Sequence, residues 1–177
     1  MQIARIVAIV AAAVAFVLPA VTSTKSPKDV VERFMKMDAK GLRLTPDGWQ
    51  NADALFVTST EPFRPDFVTV IAPNYQASTM TGGPDTTVFV GYEEVGKVDT
   101  ALLRFSKVNN RMMKEFDKYT VVLTDAREWK IAGSQPKVMH LTPTAAMRYI
   151  EDRSTKVSDP KIKKNAAESL KTLAPFQ

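Results

Sequence analysis

The sequence contains no cysteine and only one histidine, His140, among its 177 residues. The missing thiols exclude disulfide bonds, thiolate nucleophiles, iron–sulfur clusters and zinc sites with cysteine ligands. A single histidine excludes every site that needs two imidazole groups. Sequence motifs for a phosphate-binding loop, a dinucleotide-binding turn, a zinc protease or an EF-hand calcium site are also absent. The sequence therefore predicts neither a cofactor nor a metal site.

The overall composition, with 45% hydrophobic and 24% charged residues, excludes wholesale disorder and predicts one globular domain. The net charge is +5, and residues 148–171 contain seven Lys/Arg against four Asp/Glu. No aromatic residues interleave with the lysines of this tail at Lys161, Lys163 and Lys164. We therefore expect a solvated basic helix face and no nucleic-acid partner.

The first 23 residues have the order of a secretory signal: one arginine, an apolar run, then a helix breaker and small residues. The run from Ile6 to Leu18 would span about 20 Å as a helix, short of a hydrocarbon core of about 30 Å. We expect cleavage after Ser23, or after Ala20, to give an exported protein without a membrane span. A periplasmic or extracellular bacterial protein fits the missing cysteines best. A retained membrane anchor is the alternative.

Four residue pairs predict helix starts, because each places a side-chain oxygen directly before a proline. The oxygen accepts a hydrogen bond from a free backbone amide, and proline at the first helical position has no amide to leave unpaired. The pairs are Ser26-Pro27, Thr45-Pro46, Thr142-Pro143 and Asp159-Pro160. They predict helices over residues 27–40, 46–56, 143–153 and 160–173.

Between residues 66 and 133 the pattern changes to strand-length runs of β-branched and aromatic residues. These runs predict strands over residues 67–72, 86–93, 98–105, 119–123 and 128–131, with turns over 79–85 and 124–127. Gly96-Lys97 is either a hairpin turn or a bulge in one long bent strand. Strands this close in sequence leave no room for parallel crossovers, so we expect an antiparallel sheet in an α+β fold.

Three stretches resemble the nuclear transport factor 2-like (SnoaL-like) superfamily: VVERFMKMDAKG (30–41), TTVFVGYEEVGKVDTALLRF (86–105) and YTVVLTDAREWKI (119–131). The resemblance implies two N-terminal helices packed on a curved, cone-like antiparallel sheet with an apolar pocket inside. It predicts one such domain over residues 24–140 and a C-terminal helical extension over residues 141–177. Whether the two C-terminal helices cap the pocket or pack behind the sheet is left open.

Candidate catalytic groups are few. Glu93, Glu94 and Asp99 lie near the centre of the predicted sheet, and an acid that faced the interior would act as a base with a raised pKa. Tyr92 or Tyr119 would then donate a hydrogen bond to an enolate oxygen. Strict alternation places Tyr92 and Glu94 on one face of the strand, opposite Glu93. His140 is a candidate acid or base at the pocket rim. The alternatives are solvent-facing acids and a histidine that only stabilises the fold.

Six large aromatic residues lie nearest the expected pocket. We expect them to line a ligand cavity, or else to form ordinary core. They are Phe34, Trp49, Phe56, Tyr92, Tyr119 and Trp129.

A pocket-forming fold with so few catalytic groups favours a non-catalytic, exported module that binds a small apolar molecule or a protein partner. The alternative is a small acid–base lyase or isomerase acting on an apolar substrate. A third hypothesis is a homodimer that forms through the open sheet face.

Overall fold

The computed structural model describes residues 26–81, 86–108 and 114–177. In this part of the chain, two helices precede seven strands and two helices follow them. The predicted signal over residues 1–23 lies outside the described residues. The elements are α1 Pro27–Ala39, α2 Pro46–Asp53, β1 Phe67–Ile71, β2 Gln76–Thr81, β3 Thr86–Asp99, β4 Arg104–Lys107, β5 Lys114–Leu123, β6 Trp129–Ile131, β7 His140–Leu141, α3 Pro143–Thr155 and α4 Pro160–Leu173.

All four predicted helix starts are confirmed. Each capping side chain accepts a hydrogen bond from a backbone amide of the first turn, at distances between 2.7 and 3.3 Å. These caps depend only on residues two or three positions apart, which is why sequence reasoning located them. A short 3-10 turn, Leu42–Leu44, joins α1 to α2.

The sheet is strongly curled, and its strands follow the order β6-β5-β3-β1-β7, with β2 and β4 also paired to β3. The α+β class is confirmed, but the expectation of a purely antiparallel sheet is wrong. Strand β7 runs parallel to β1 and pairs Thr69 with His140. A parallel pair needs a long connection, and here strands β2 to β6 lie between β1 and β7 in the sequence.

Strand β3 is one continuous strand of 14 residues, so Gly96 lies in a bent strand and not in a hairpin turn. The register with β1 shifts by one residue between Val70 and Ile71, which marks the bulge. A Cβ atom on Gly96 would lie 2.4 Å from the carbonyl oxygen of Ser106, so only glycine fits beside β4. The predicted strand over residues 98–105 is wrong, because a turn interrupts it before Arg104.

Two elements differ further from the sequence prediction. Residues 79–81, predicted as part of a turn, belong to β2, and the rest of that predicted turn, residues 82–85, lies outside the described residues. Strand β7 was not predicted at all. With only two residues, it carries no periodic pattern that could have been recognised.

Buried apolar side chains form two clusters on the sheet. In one, α1 and α2 pack against β3, β5 and β6, with Phe34 at the centre. In the other, α3 and α4 pack against β1, β3 and β4, with Ile150 and Leu173 fully buried. The C-terminal helices therefore share a core with the sheet. Ser169 fixes α4 in place, since its hydroxyl accepts from the Phe105 amide at 2.7 Å and donates to the Leu103 carbonyl at 3.0 Å.

Candidate functional site

A group of polar side chains lies inside the curled sheet, between α1 and the inner face of β3 and β5. Four of its members are at most 5% exposed, which is uncommon for charged and polar groups unless they are paired. The members, called the polar cluster below, are Asp38, Arg43, Tyr92, Asp117, Tyr119, Gln135 and His140.

Arg43, in the 3-10 turn after α1, is the fully buried cation of the polar cluster. Its Nη1 donates to Asp38 Oδ1 at 3.0 Å and to the Val138 carbonyl at 3.1 Å, and its Nε donates to Gln135 Oε1 at 2.9 Å. Its Nη2 donates to the Pro136 carbonyl. One side chain therefore ties the end of α1 to the loop that leads into β7, and its charge is paired with Asp38.

His140 is held by the second oxygen of Asp38. Both the backbone amide and the ring Nδ1 of His140 lie close to Asp38 Oδ2, at 3.0 and 3.1 Å. Because an ionised carboxylate only accepts hydrogen bonds, this contact assigns a proton to Nδ1. Among the described residues, the other nitrogen, Nε2, is buried without a hydrogen-bond partner, and it lies 3.6 Å from Asp117 Oδ2. The imidazole therefore lies between one fully buried carboxylate, which it contacts through Nδ1, and a second, partly exposed one.

Asp117 is the carboxylate of the polar cluster that meets solvent, with a side chain 29% exposed. Pairing of β5 with β3 sets Asp117 opposite Val90 and Tyr119 opposite Val88, so these side chains share the inner face. The Tyr92 hydroxyl donates to Asp117 Oδ1 at 3.3 Å, and the Tyr119 hydroxyl donates to Oδ2 at 3.2 Å. The Asp117 carboxylate thus accepts hydrogen bonds from two phenols and lies beside the Nε2 atom of His140.

The two phenols are held in their neutral form. Burial raises the pKa of Tyr119 far above its ordinary value, and the adjacent Asp117 carboxylate raises it further. The pKa of Tyr92 is also raised, first by burial and then by Asp117, with Glu115 and Glu94 adding to the effect. Both hydroxyls are therefore hydrogen-bond donors across the physiological pH range.

The sequence-predicted candidates do not all meet. His140 and Tyr92 come together, with ring centroids 4.9 Å apart. Glu94 lies near Tyr92, with a side chain 17% exposed and 3.8 Å from the Lys97 ammonium. Asp99 is remote from them and stabilises the turn after β3, because its carboxylate accepts from the Leu102 amide at 2.8 Å. Glu93 lines a surface groove beside Gly91 and Phe116, and Tyr92 also lines that groove.

Sequence reasoning missed Asp38, Arg43, Asp117 and Gln135. Two of these had a recognisable signal. Asp38 continues the apolar stripe of α1 at the spacing of a buried position, three residues after Met35. Asp117 alternates with Tyr119 and Val121 on the buried face of β5. An acid at a buried position of either pattern indicates a charge with a partner inside the fold.

The six aromatic residues predicted to line a pocket lie in or beside the two cores. Phe34 contacts Phe56 edge-on at a centroid distance of 5.0 Å, and it contacts Tyr119 at 5.7 Å. Trp49 belongs to the other cluster and packs against Phe63, while Tyr92 and Trp129 are half-buried beside the Phe34 cluster. Their role as the lining of a ligand cavity stays a prediction.

Comparison with models of known protein families, with curated proteins and with solved structures finds no match to this chain. Among the described residues, no group of three or more acidic or histidine side chains is placed to hold a metal ion. No helix in that part of the chain is long and apolar enough to cross a membrane. The case for a function therefore depends on the geometry of the polar cluster.

Proposed function

We propose that this protein is a small acid–base catalyst, a lyase or isomerase that moves a proton on a neutral organic substrate. One observation carries the proposal. The partly exposed Asp117 carboxylate accepts from the hydroxyls of Tyr92 and Tyr119 and lies 3.6 Å from the unpartnered nitrogen of His140. Convergence of a carboxylate, an imidazole and two phenols is an arrangement that proton-transfer sites use.

Each group has a role in this proposal. Asp117 removes a proton from carbon, since it is the partly exposed carboxylate of the polar cluster. The Tyr92 hydroxyl, half-buried and neutral, turns from Asp117 to the substrate oxygen and stabilises the enolate. His140 takes the proton from Asp117 on Nε2, while Asp38 holds Nδ1 and balances the imidazolium charge. If the proton returns to a different carbon of the substrate, the reaction is an isomerisation. If it is delivered to a leaving hydroxyl group, water is released and the reaction is that of a lyase.

Membership of the nuclear transport factor 2-like superfamily is part of this proposal. It is supported by the two N-terminal helices and by the strongly curled sheet that packs around α1. In that superfamily, acid–base sites lie inside the curved sheet, where the polar cluster of this chain also lies.

Proton exchange in heavy water tests the proposal without knowledge of the natural substrate. The protein is incubated with a panel of small ketones and β-hydroxy ketones, and loss of the α-proton signals or formation of the unsaturated product is followed by NMR. We expect the wild-type protein to accelerate one of these reactions. Asp117→Asn should lower that rate by about 100-fold or more, because the amide cannot accept the proton.

Asp125→Asn is the matched control. It makes the same change from aspartate to asparagine at an exposed residue of the turn before β6, outside the polar cluster. The control should retain the wild-type rate. Full activity of Asp117→Asn, or no acceleration by the wild-type protein across the panel, would contradict the catalytic proposal.

A non-catalytic binding module is the second candidate. It is supported by the complete burial of Asp38, Arg43 and His140. A buried hydrogen-bond network of this kind can hold elements of a fold together without taking part in any reaction. Met80 and Phe116, 63% and 64% exposed on the outer face of the sheet, support a version that binds a protein partner or a second copy. A molecule that co-purifies unchanged with the protein, identified by mass spectrometry, would favour this candidate.

Export is also part of the proposal, supported by the signal-like order of residues 1–23. The mature protein recovered from the periplasm or medium of a bacterial host is expected to begin at Thr24. Its intact mass would show the loss of the first 23 residues. A full-length protein retained in the membrane fraction would contradict cleavage and favour an anchor.

A further inference from the structure

A cavity of about 710 Å³ lies beside the 3-10 turn, with Leu44 of that turn in its lining. Its walls come from four places: the end of α1 with the start of α2, the loop over residues 63–65, the turn after β3, and the exposed side of α3. The volume falls within the range of about 300–1,000 Å³ found for small-molecule sites. None of the members of the polar cluster lines it.

Positive charge dominates the rim of this cavity. Five cationic side chains line it against a single acid, Asp152. Asp152 is already paired with Lys156 at 2.7 Å. The four remaining cations form no salt bridge within the described part of the chain; they are Lys40, Arg64, Arg148 and Arg153.

These cations come from separate elements that the fold brings together. Lys40 caps the C-terminus of α1, Arg64 lies in a loop, and Arg148 and Arg153 lie on α3. Arg153 and Arg64 both lie close enough to the Tyr149 hydroxyl to lower its pKa, although burial raises it more. Like charges that face one cavity repel each other, and a bound anion would remove that repulsion.

The inner walls of the cavity are apolar. Leu44, Phe63, Pro65 and Ala145 line it together with the half-buried ring of Tyr149. A ligand that fills the cavity must therefore place an apolar body against these side chains and a negative group at the rim. Inorganic phosphate would satisfy only the rim, and an uncharged apolar molecule would satisfy only the walls.

We propose that this cavity, called the basic cavity below, binds a small organic anion that carries one phosphate or carboxylate group on a compact apolar body. The anionic group contacts Arg64, Arg148 and Arg153, and the apolar body packs against Phe63 and Tyr149. This site is separate from the proposed catalytic site, and the proposal does not depend on catalysis.

Titration calorimetry with three probes tests the basic cavity: hexyl phosphate, inorganic phosphate and hexanol. We expect hexyl phosphate to bind at least about tenfold more tightly than either half of the molecule alone, since only the ester uses both the rim and the walls. Added salt should weaken its binding, because Arg64 and Arg148 at the rim are exposed.

Two variants locate the site. Arg64→Ala/Arg148→Ala should lower the affinity for hexyl phosphate by about tenfold or more, since it removes half of the unpaired charge. Ala101→Trp places a large ring at the cavity wall without a change of charge, and it should also weaken binding. Both changes fall at exposed positions, so the variants should fold.

Lys163→Ala/Lys171→Ala is the matched control, because it removes two exposed positive charges from α4, outside the cavity. It should bind hexyl phosphate as the wild-type protein does. Equal losses in the arginine and lysine variants, equal affinity for inorganic phosphate and hexyl phosphate, or binding only to anionic lipid vesicles would each overturn the proposal. No binding of hexyl phosphate to the wild-type protein would overturn it as well.

Discussion

Replacement of Arg43 by alanine is expected to cost about 3–5 kcal/mol of the free energy of unfolding, the range for breaking a buried ion pair by removing one partner. The change leaves Asp38 with a buried charge and no cation, and it leaves the Gln135 oxygen and two backbone carbonyls without donors. It also removes a guanidinium that stacks on the Phe34 ring, 5.0 Å from the centroid.

Denaturant unfolding, followed by circular dichroism, measures this loss. Arg43→Lys is expected to recover only part of the stability, because one ammonium cannot replace a planar group that reaches four acceptors. Arg104→Ala, at an exposed position of β4, should change the free energy of unfolding by no more than about 0.5 kcal/mol. Equal stability of Arg43→Ala and Arg104→Ala would show that the buried network does not stabilise the fold.

The native protein is expected to show little tyrosinate absorbance at a pH just above 10, where unfolded phenols ionise. All four tyrosines have a raised pKa, and burial is the largest cause in each case. Nearby carboxylates add to the effect at each of them: Asp117 at Tyr92 and Tyr119, Glu32 at Tyr75, and Asp152 at Tyr149, where Arg153 and Arg64 oppose it. A buried phenolate would lack the water that stabilises its charge.

The same shifts predict how stability depends on pH. A pKa that is higher in the folded state means that the folded chain binds the phenolic proton more tightly than the unfolded chain. This contribution to stability is complete below pH 10.0, the ordinary pKa of tyrosine, and is lost as the pH rises above it. We therefore expect the midpoint of denaturant unfolding to fall steadily above pH 10.0.

A spectrophotometric titration in the presence and absence of denaturant measures both effects. The unfolded chain should ionise all four phenols near pH 10.0, and the native chain should ionise them only at higher pH or on alkaline unfolding. Tyr119→Phe provides the control, because it removes one phenol of the polar cluster and should reduce the slope of stability against pH. Native phenols that titrate at the same pH as unfolded ones would contradict the burial described here.

Local signals in the sequence were sufficient to place the helices. A capping oxygen before a proline accepts a hydrogen bond from a backbone amide two or three residues away. The sequence signal for each helix start therefore lies within the first turn of that helix. The tight turn before β6 was predicted for the same reason. The strands were harder: the bend at Gly96 depends on how closely β4 approaches β3, and that distance is set by tertiary packing.

The polar cluster could be predicted only in part. His140 and Tyr92 were recognised as residue types suited to proton transfer, but their partners were not. Asp38 lies 102 positions from His140, and Arg43 lies 92 positions from Gln135. Contacts at such separations leave no periodic trace in the sequence, apart from an acid at a buried position of an otherwise apolar pattern.

By itself, the sequence determined the class of the fold, the four helix starts, the absence of thiol chemistry and a single imidazole. These properties depend on composition and on neighbours within one turn of chain. Only the tertiary structure decided that β7 runs parallel to β1, that His140 lies between Asp38 and Asp117, and that cations from the end of α1, from α3 and from a loop surround one cavity. Each of these depends on which distant segments pack together, because the curl of the sheet and the burial of its apolar faces set those distances.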